Sequence, residues 1–157
     1  MNTGPHHFAM PGWISAAPFE RLLNMTIVAA AEGHSTLTMP FLVDYANGAG
    51  LIHGGALVSL ADTAVVMAIK TLLPPGSHFA TIRLETRFLH PVKKGVLTAK
   101  ARILSRVDRI IEGTATIYDD QQRAVMEFDS TFKIARDTRI TAVTWADAAP
   151  PAPPDQA

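Results

Sequence analysis

Residues 53–73 read HGGALVSLADTAVVMAIKTLL, an apolar run with one acid, Asp62, at its centre. From residue 56 to residue 73 there is no Gly or Pro, and the charges are Asp62 and Lys70. Such a run predicts a helix, and Pro74-Pro75-Gly76 ends it, because proline cannot continue the backbone ladder. On a 3.6-residue period Asp62 shares a face with Val58, Ser59, Val65 and Val66. A carboxylate on an apolar face loses hydration, so it needs a partner or a function. The Gly54-Gly55 pair opens the helix, where unpaired N–H groups and the helix dipole favour negative charge. An acid or base and an oxyanion-binding end on one helix point to acyl chemistry.

The rest of the chain gives this helix its setting. A length of 157 residues suits one domain with a real core. Apolar residues make up 48% and charged residues 18%, an apolar surplus that points to a subunit interface. With zero net charge and pI near 7.0 there is no basic field to recruit nucleic acid or an acidic membrane. No cysteine occurs, which excludes disulfides, thiolate nucleophiles and Cys–zinc sites and fits a reducing, cytoplasmic setting. Residues 1–13 show no signal-peptide pattern, and Asp62 and Lys70 argue against a membrane span. His6, His7, His34, His78 and His90 stand at no metal-ligand spacing, so no metal is expected.

Residues 1–17 hold Gly4, Pro5, Pro11 and Gly12 and predict a flexible lead. Residues 19–23 suit one or two helical turns. Residues 25–40 read as two strand halves about Glu32-Gly33-His34, and residues 41–52 as a loop. After the helix, residues 79–89 alternate. Ala80, Ile82, Leu84, Thr86 and Phe88 fall on one face, and Thr81, Arg83, Glu85, Arg87 and Leu89 on the other. Further runs at 96–107, 110–118 and 123–136 complete a four-stranded antiparallel meander. The expected architecture is α+β, a curved antiparallel sheet wrapped around one long central helix. It occupies residues 18–137, and a Pro/Ala-rich tail over 138–157 is expected to be disordered.

The residues Asn47, Gly50, His53, Gly54, Gly55 and Asp62 carry a resemblance. Asn-x-x-Gly-x-x-His-Gly-Gly, then six residues, then an acid, resembles the signature of hotdog-fold acyl-CoA thioesterases of the phenylacetate-degradation (PaaI-like) group. The resemblance implies hydrolysis of acyl-CoA to free acid and CoA, with no cofactor beyond the CoA of the substrate. It implies Asp62 as general base or nucleophile, and the Gly54 N–H polarising the thioester carbonyl. Asn47 and His53 would shape the carbonyl end of the site, and Thr81 would help hold the attacking water. It further implies a site at a homodimer interface, Asp62 of one subunit facing Asn47, His53 and Gly54 of the other, in a dimer or a tetramer of paired dimers.

Gly55, Leu51 and Phe79, with Ile52, Leu57 and Val65, are candidates for the substrate pocket. Arg83 is a candidate for CoA phosphates, although a solvated strand face explains it better. The chain departs from many members of the group at Gly48, where they have Pro. Two other readings remain open: a non-catalytic acyl-CoA-binding hotdog module, and a dehydratase or hydratase, whose usual motif is absent here. The acyl group itself is not legible.

Overall fold

The computed structural model describes residues 1, 3, 4, 6–136 and 142–146. In chain order these form β1 (Phe8–Met10), α1 (Pro18–Leu22), β2 (Thr26–Ala31), β3 (His34–Pro40), a 3-10 turn at Val43–Tyr45, α2 (Gly54–Lys70), β4 (Phe79–Phe88), β5 (Val96–Val107), β6 (Ile110–Tyr118), β7 (Ala124–Ile134) and β8 (Val143–Trp145). Strands β2 to β7 build one six-stranded antiparallel sheet in the order β2-β3-β5-β6-β7-β4. Helix α2 packs against β3, β5, β6 and β7. This is the expected α+β architecture of a curved sheet around one helix.

The helix sits deep because its inner face is small. Ala61, Ala64 and Ala68 are fully buried. Val65 lies over Gly113 of β6, where a Cβ would come within 2.5 Å of Val65 Cγ1. On β3, Ser35 Oγ donates to the Ala64 carbonyl at 2.6 Å, inside the core. Leu37, Met39, Leu97, Ile111, Ile117, Met126, Phe128 and Phe132 fill the concave face of the sheet. Alternation along β3 and β6 places these side chains inward and polar ones outward.

Three expectations change. The helix stops at Lys70 rather than continuing through residue 73, and Thr71 takes over its end. Thr71 Oγ1 donates to the Ala68 carbonyl and accepts from Gly33 N–H. The meander is three strands, β5-β6-β7. Strand β4 crosses the sheet to pair with β7 at the far edge, through the link formed by residues 89–95. Lastly, β4 does not alternate strictly. Its register with β7 slips between Thr81 and Arg83. A bulge adds one residue to one strand and re-aims the side chains on either side of it. Thr81 therefore pairs with buried Phe132 and turns inward, whereas Arg83, Glu85 and Arg87 turn outward.

Part of each chain flank is built into the structure rather than loose. Strand β1 pairs in parallel with β8, Met10 and Trp13 are buried, and the rings of Trp13 and Trp145 meet edge-on at 5.1 Å. The remainder of the expected tail, residues 138–141 and 147–157, lies outside the described residues.

Replacing Gly113 by valine should destabilise the protein by about 1–3 kcal/mol, because the branched side chain meets Val65 without room to relax. The midpoint of urea unfolding measures this, and an unchanged midpoint would contradict the close seating of α2.

Candidate active site

Asp62 lies mid-way along α2 on a half-buried stripe with Val58, Ser59 and Val66. Its Oδ1 accepts a 2.9 Å hydrogen bond from Thr81 Oγ1. The bulge at Ile82 makes this contact possible, since strict alternation would have left Thr81 on the outer face. Burial raises the Asp62 pKa above its ordinary value, and the Thr81 hydrogen bond pulls it back in part. The result is a carboxylate more basic than a solvated one and held in a fixed orientation.

The start of α2 is the second element. His53 is the N-cap, with extended backbone and a ring Nδ1 that accepts from Gly55 N–H at 2.9 Å. That bond makes Nδ1 the acceptor and leaves the ring proton on Nε2. The Ala56 and Leu57 N–H groups both reach the His53 carbonyl. Gly54 N–H has no acceptor among the described residues. It is a first-turn donor left unsatisfied at the positive end of the helix.

Asn47 holds the loop before the helix. Its Oδ1 accepts from Ala49 N–H and Leu51 N–H at 2.9 and 3.1 Å, which fixes a tight turn. Asn47, Leu51, Ile52, Gly54 and Leu57 then line one cavity of about 370 Å³ with Phe88, His90 and Val92. The expected residues thus fall into two groups within one chain: Asp62 with Thr81, and Asn47, Leu51 and Gly54 at the helix start. His53 and Gly55 border a separate shallow depression beside Tyr45 and Ser59. Asp62 follows Gly54 by eight positions on one helix, which sets them about 12 Å apart.

Other expected residues take different places. Val65 is fully buried against Gly113 and is not among the residues lining the cavity at the start of α2. Phe79 lines a second cavity of about 200 Å³ beside Thr81, its ring edge-on to Phe132. Arg83 is paired with Glu85 at 2.7 Å on an exposed face, away from both cavities. Arg87 is likewise paired with Glu127 across the strands. Reading the sequence missed Phe88, His90 and Val92, whose place beside Gly54 follows from β4 lying at the sheet edge. Among the described residues no group of three or more His, Asp or Glu side chains is placed to hold a metal. Among the same residues no helix is long and apolar enough to cross a membrane.

The chain carries a thioesterase-superfamily domain of hotdog fold: residues 49–126 match the family model described as the thioesterase superfamily. Among solved structures it is similar to the E. coli PaaI protein from the phenylacetic acid degradation operon, with TM-score 0.72 and 27% identity over 82% of this chain and 88% of that one. It also resembles in fold a thioesterase of Haemophilus influenzae, with TM-score 0.70 and 24% identity, covering 75% of this chain and 82% of that one. A Saccharolobus solfataricus protein named as a candidate esterase is 28% identical over 107 residues, 68% of this chain and 71% of that one. A second, from Halobacterium salinarum, is 32% identical over 87 residues, and the match spans 57% of its length.

Thr81→Val should raise the Asp62 pKa further, because it removes the hydrogen bond that lowers it, and Thr81→Ser should leave it in place. Titration of the Asp62 carboxyl carbon by NMR reads the shift directly, and no difference between the two variants would exclude the bond. Stability carries a related sign. A carboxyl whose native pKa exceeds its unfolded value costs stability when ionised, and that cost fades as pH falls through the native pKa. Asp62→Asn should therefore be at least as stable as wild type at pH 7, with any gain shrinking toward pH 4, by denaturant unfolding at each pH.

Proposed function

We propose that this chain hydrolyses acyl-CoA thioesters, using Asp62 of one protomer and the Gly54 N–H of a second. The observation that carries this reading is the unsatisfied Gly54 N–H at the start of the same helix that buries Asp62. The two groups are complementary in chemistry but lie about 12 Å apart on one rigid helix, too far to act on one carbonyl. A two-fold pairing of helices brings Asp62 of each copy toward Gly54 of the other. The β4 edge supports such a pairing. Ile82, Leu84 and Phe88 are 57%, 44% and 53% exposed, an apolar strand edge that a lone protomer leaves uncovered.

In this site water, or the carboxylate itself, attacks the thioester carbonyl carbon. As general base, Asp62 takes the proton of the water, and Thr81 holds the carboxylate in place. The carbonyl π electrons move to oxygen, and Gly54 N–H and the helix dipole stabilise the oxyanion. Collapse breaks the C–S bond and releases CoA thiolate, which needs little acid assistance. As nucleophile, Asp62 forms a mixed anhydride that water then hydrolyses. Single turnover in heavy-oxygen water identifies the nucleophilic route where water opens the anhydride at the Asp62 carbonyl, since label then enters the Asp62 carboxylate, which general-base attack never labels. Neither route draws on a metal or a cofactor, and an acyl-CoA substrate is compatible with the cytoplasmic setting expected from the sequence.

Thiol release from an acyl-CoA panel, read with a thiol-reactive dye, tests the reading, and a chain without cysteine adds no background. Asp62→Asn should lower turnover by about a hundredfold or more. Gly54→Pro is the matching change at the other end. Proline is tolerated at the first helical position, so the helix stays while the N–H is lost; a Cβ there meets the Phe88 ring at 3.1 Å, so the expected cost of about a hundredfold is read against Gly54→Ala, which keeps the N–H. Co-assembly of the two variants should restore turnover, because each mixed dimer holds one intact site and one doubly defective site. No rescue in proven mixed dimers would put both groups in one protomer. Saturable acyl-CoA binding with no thiol release from wild type would favour the binding-module reading instead.

A further inference from the structure

The segments that flank the matched family region meet beside the candidate carboxylate. Strands β1 and β8 pair in parallel, with Met10 opposite Trp145, and so join the two ends of the described chain. Trp13 is 4% exposed, its indole Nε1 donates to the Lys70 carbonyl at 3.0 Å, and Lys70 Nζ donates back to the Trp13 carbonyl at 3.0 Å. The Lys70 ammonium also sits 4.5 Å from the Trp13 ring centroid. Trp13 is thereby clamped to the last turn of α2, and Trp145 stands edge-on to it.

These two rings wall the cavity of about 200 Å³ that also includes Val66, Phe79, Thr81 and Phe132. Thr81 bonds the Asp62 carboxylate, and Val66 follows Asp62 by one helical turn. The cavity therefore begins at the candidate reacting centre and runs along α2 toward Lys70. We infer that this cavity receives the acyl part of the thioester, and that Trp13 and Trp145 form its end wall and limit the acyl group to compact apolar ones. The inference rests on the thioesterase reading above and adds the substrate size to it. An apolar cavity of roughly 150 Å³ holds benzene, so the space here takes a single aromatic ring or a chain of about six carbons. Four aromatic side chains line it, and edge-to-face contact favours such a group. Lys70, Ser77 and Thr81 give the lining its polar part, and the Lys70 charge is engaged by Trp13.

The test uses the full chain and a non-hydrolysable thioether, S-hexyl-CoA. Trp13 and Trp145 are the two tryptophans of the sequence, so intrinsic emission reports on this wall. S-hexyl-CoA should change the emission, and CoA without a tail should not. In turnover assays wild type should favour hexanoyl- or aryl-acyl-CoA over dodecanoyl-CoA by about tenfold or more, and Trp13→Ala and Trp145→Ala should erase that preference. Should the tryptophan variants fail to fold, Val66→Phe fills the same cavity from α2 and should shift preference to acetyl-CoA. An unchanged chain-length profile in folded, active variants would overturn the inference and leave the thioesterase reading intact. S-hexyl-CoA that binds by calorimetry without altering emission would overturn it as well. No thiol release from any acyl-CoA would sink the catalytic reading, while the emission response would still decide whether the cavity holds the acyl group.

Discussion

The close contact between α2 and the sheet governs the rest of this structure. Alanines at 61, 64 and 68 and the bare floor at Gly113 let the helix axis lie deep, with Val65 pressed on β6. The Ser35 hydroxyl ties β3 to the helix backbone at Ala64. A helix held so deeply has only a narrow stripe left near the surface. That stripe carries Val58, Ser59, Asp62, Val66 and Lys70. The depth of Asp62, and with it the desolvation that raises its pKa, is a consequence of small side chains on the opposite face.

Burial alone would push Asp62 toward its neutral form. Thr81 opposes this by donating to Oδ1, and it arrives there through a one-residue bulge in an edge strand. At the start of the same helix the polar groups are nearly all satisfied. His53 accepts from Gly55 with its ring and from Ala56 and Leu57 with its carbonyl. Asn47 locks the loop that delivers His53 to the cap. These residues act as positioning groups, and what they leave open is a single donor at Gly54 beside an apolar cavity. Asp62 at the middle and Gly54 at the start of one rigid helix lie too far apart to act on one carbonyl, and for that reason the proposed site draws on a second protomer.

Some elements were legible because their physics is local. The apolar run with a glycine pair before it and prolines after it marks α2, and alternation marks β5 and β6 at the bounds the structure shows. Asp62 could be singled out because a charge on an apolar helical face is costly wherever the helix packs. The place of β4 could not be read. Adjacent strands usually pair, yet residues 89–95 carry the chain across to the far edge, where β4 meets β7. Arg87 illustrates the same gap. Arg83 meets Glu85 two residues on along the same strand face, whereas the partner of Arg87, Glu127, lies across the sheet and only the strand register reveals it.

By itself the sequence determined the helix, its buried acid, its glycine start and the strand-forming segments, since each depends on residue type and spacing within one short stretch. Tertiary structure decided the strand order, the inward turn of Thr81 and the meeting of Trp13 with Trp145. These depend on long-range pairing, in which residues far apart in the chain compete for the same edge or surface. A bulge of one residue reverses the face of everything on one side of it, and alternation along a single strand carries no mark of where the partner strand will force it.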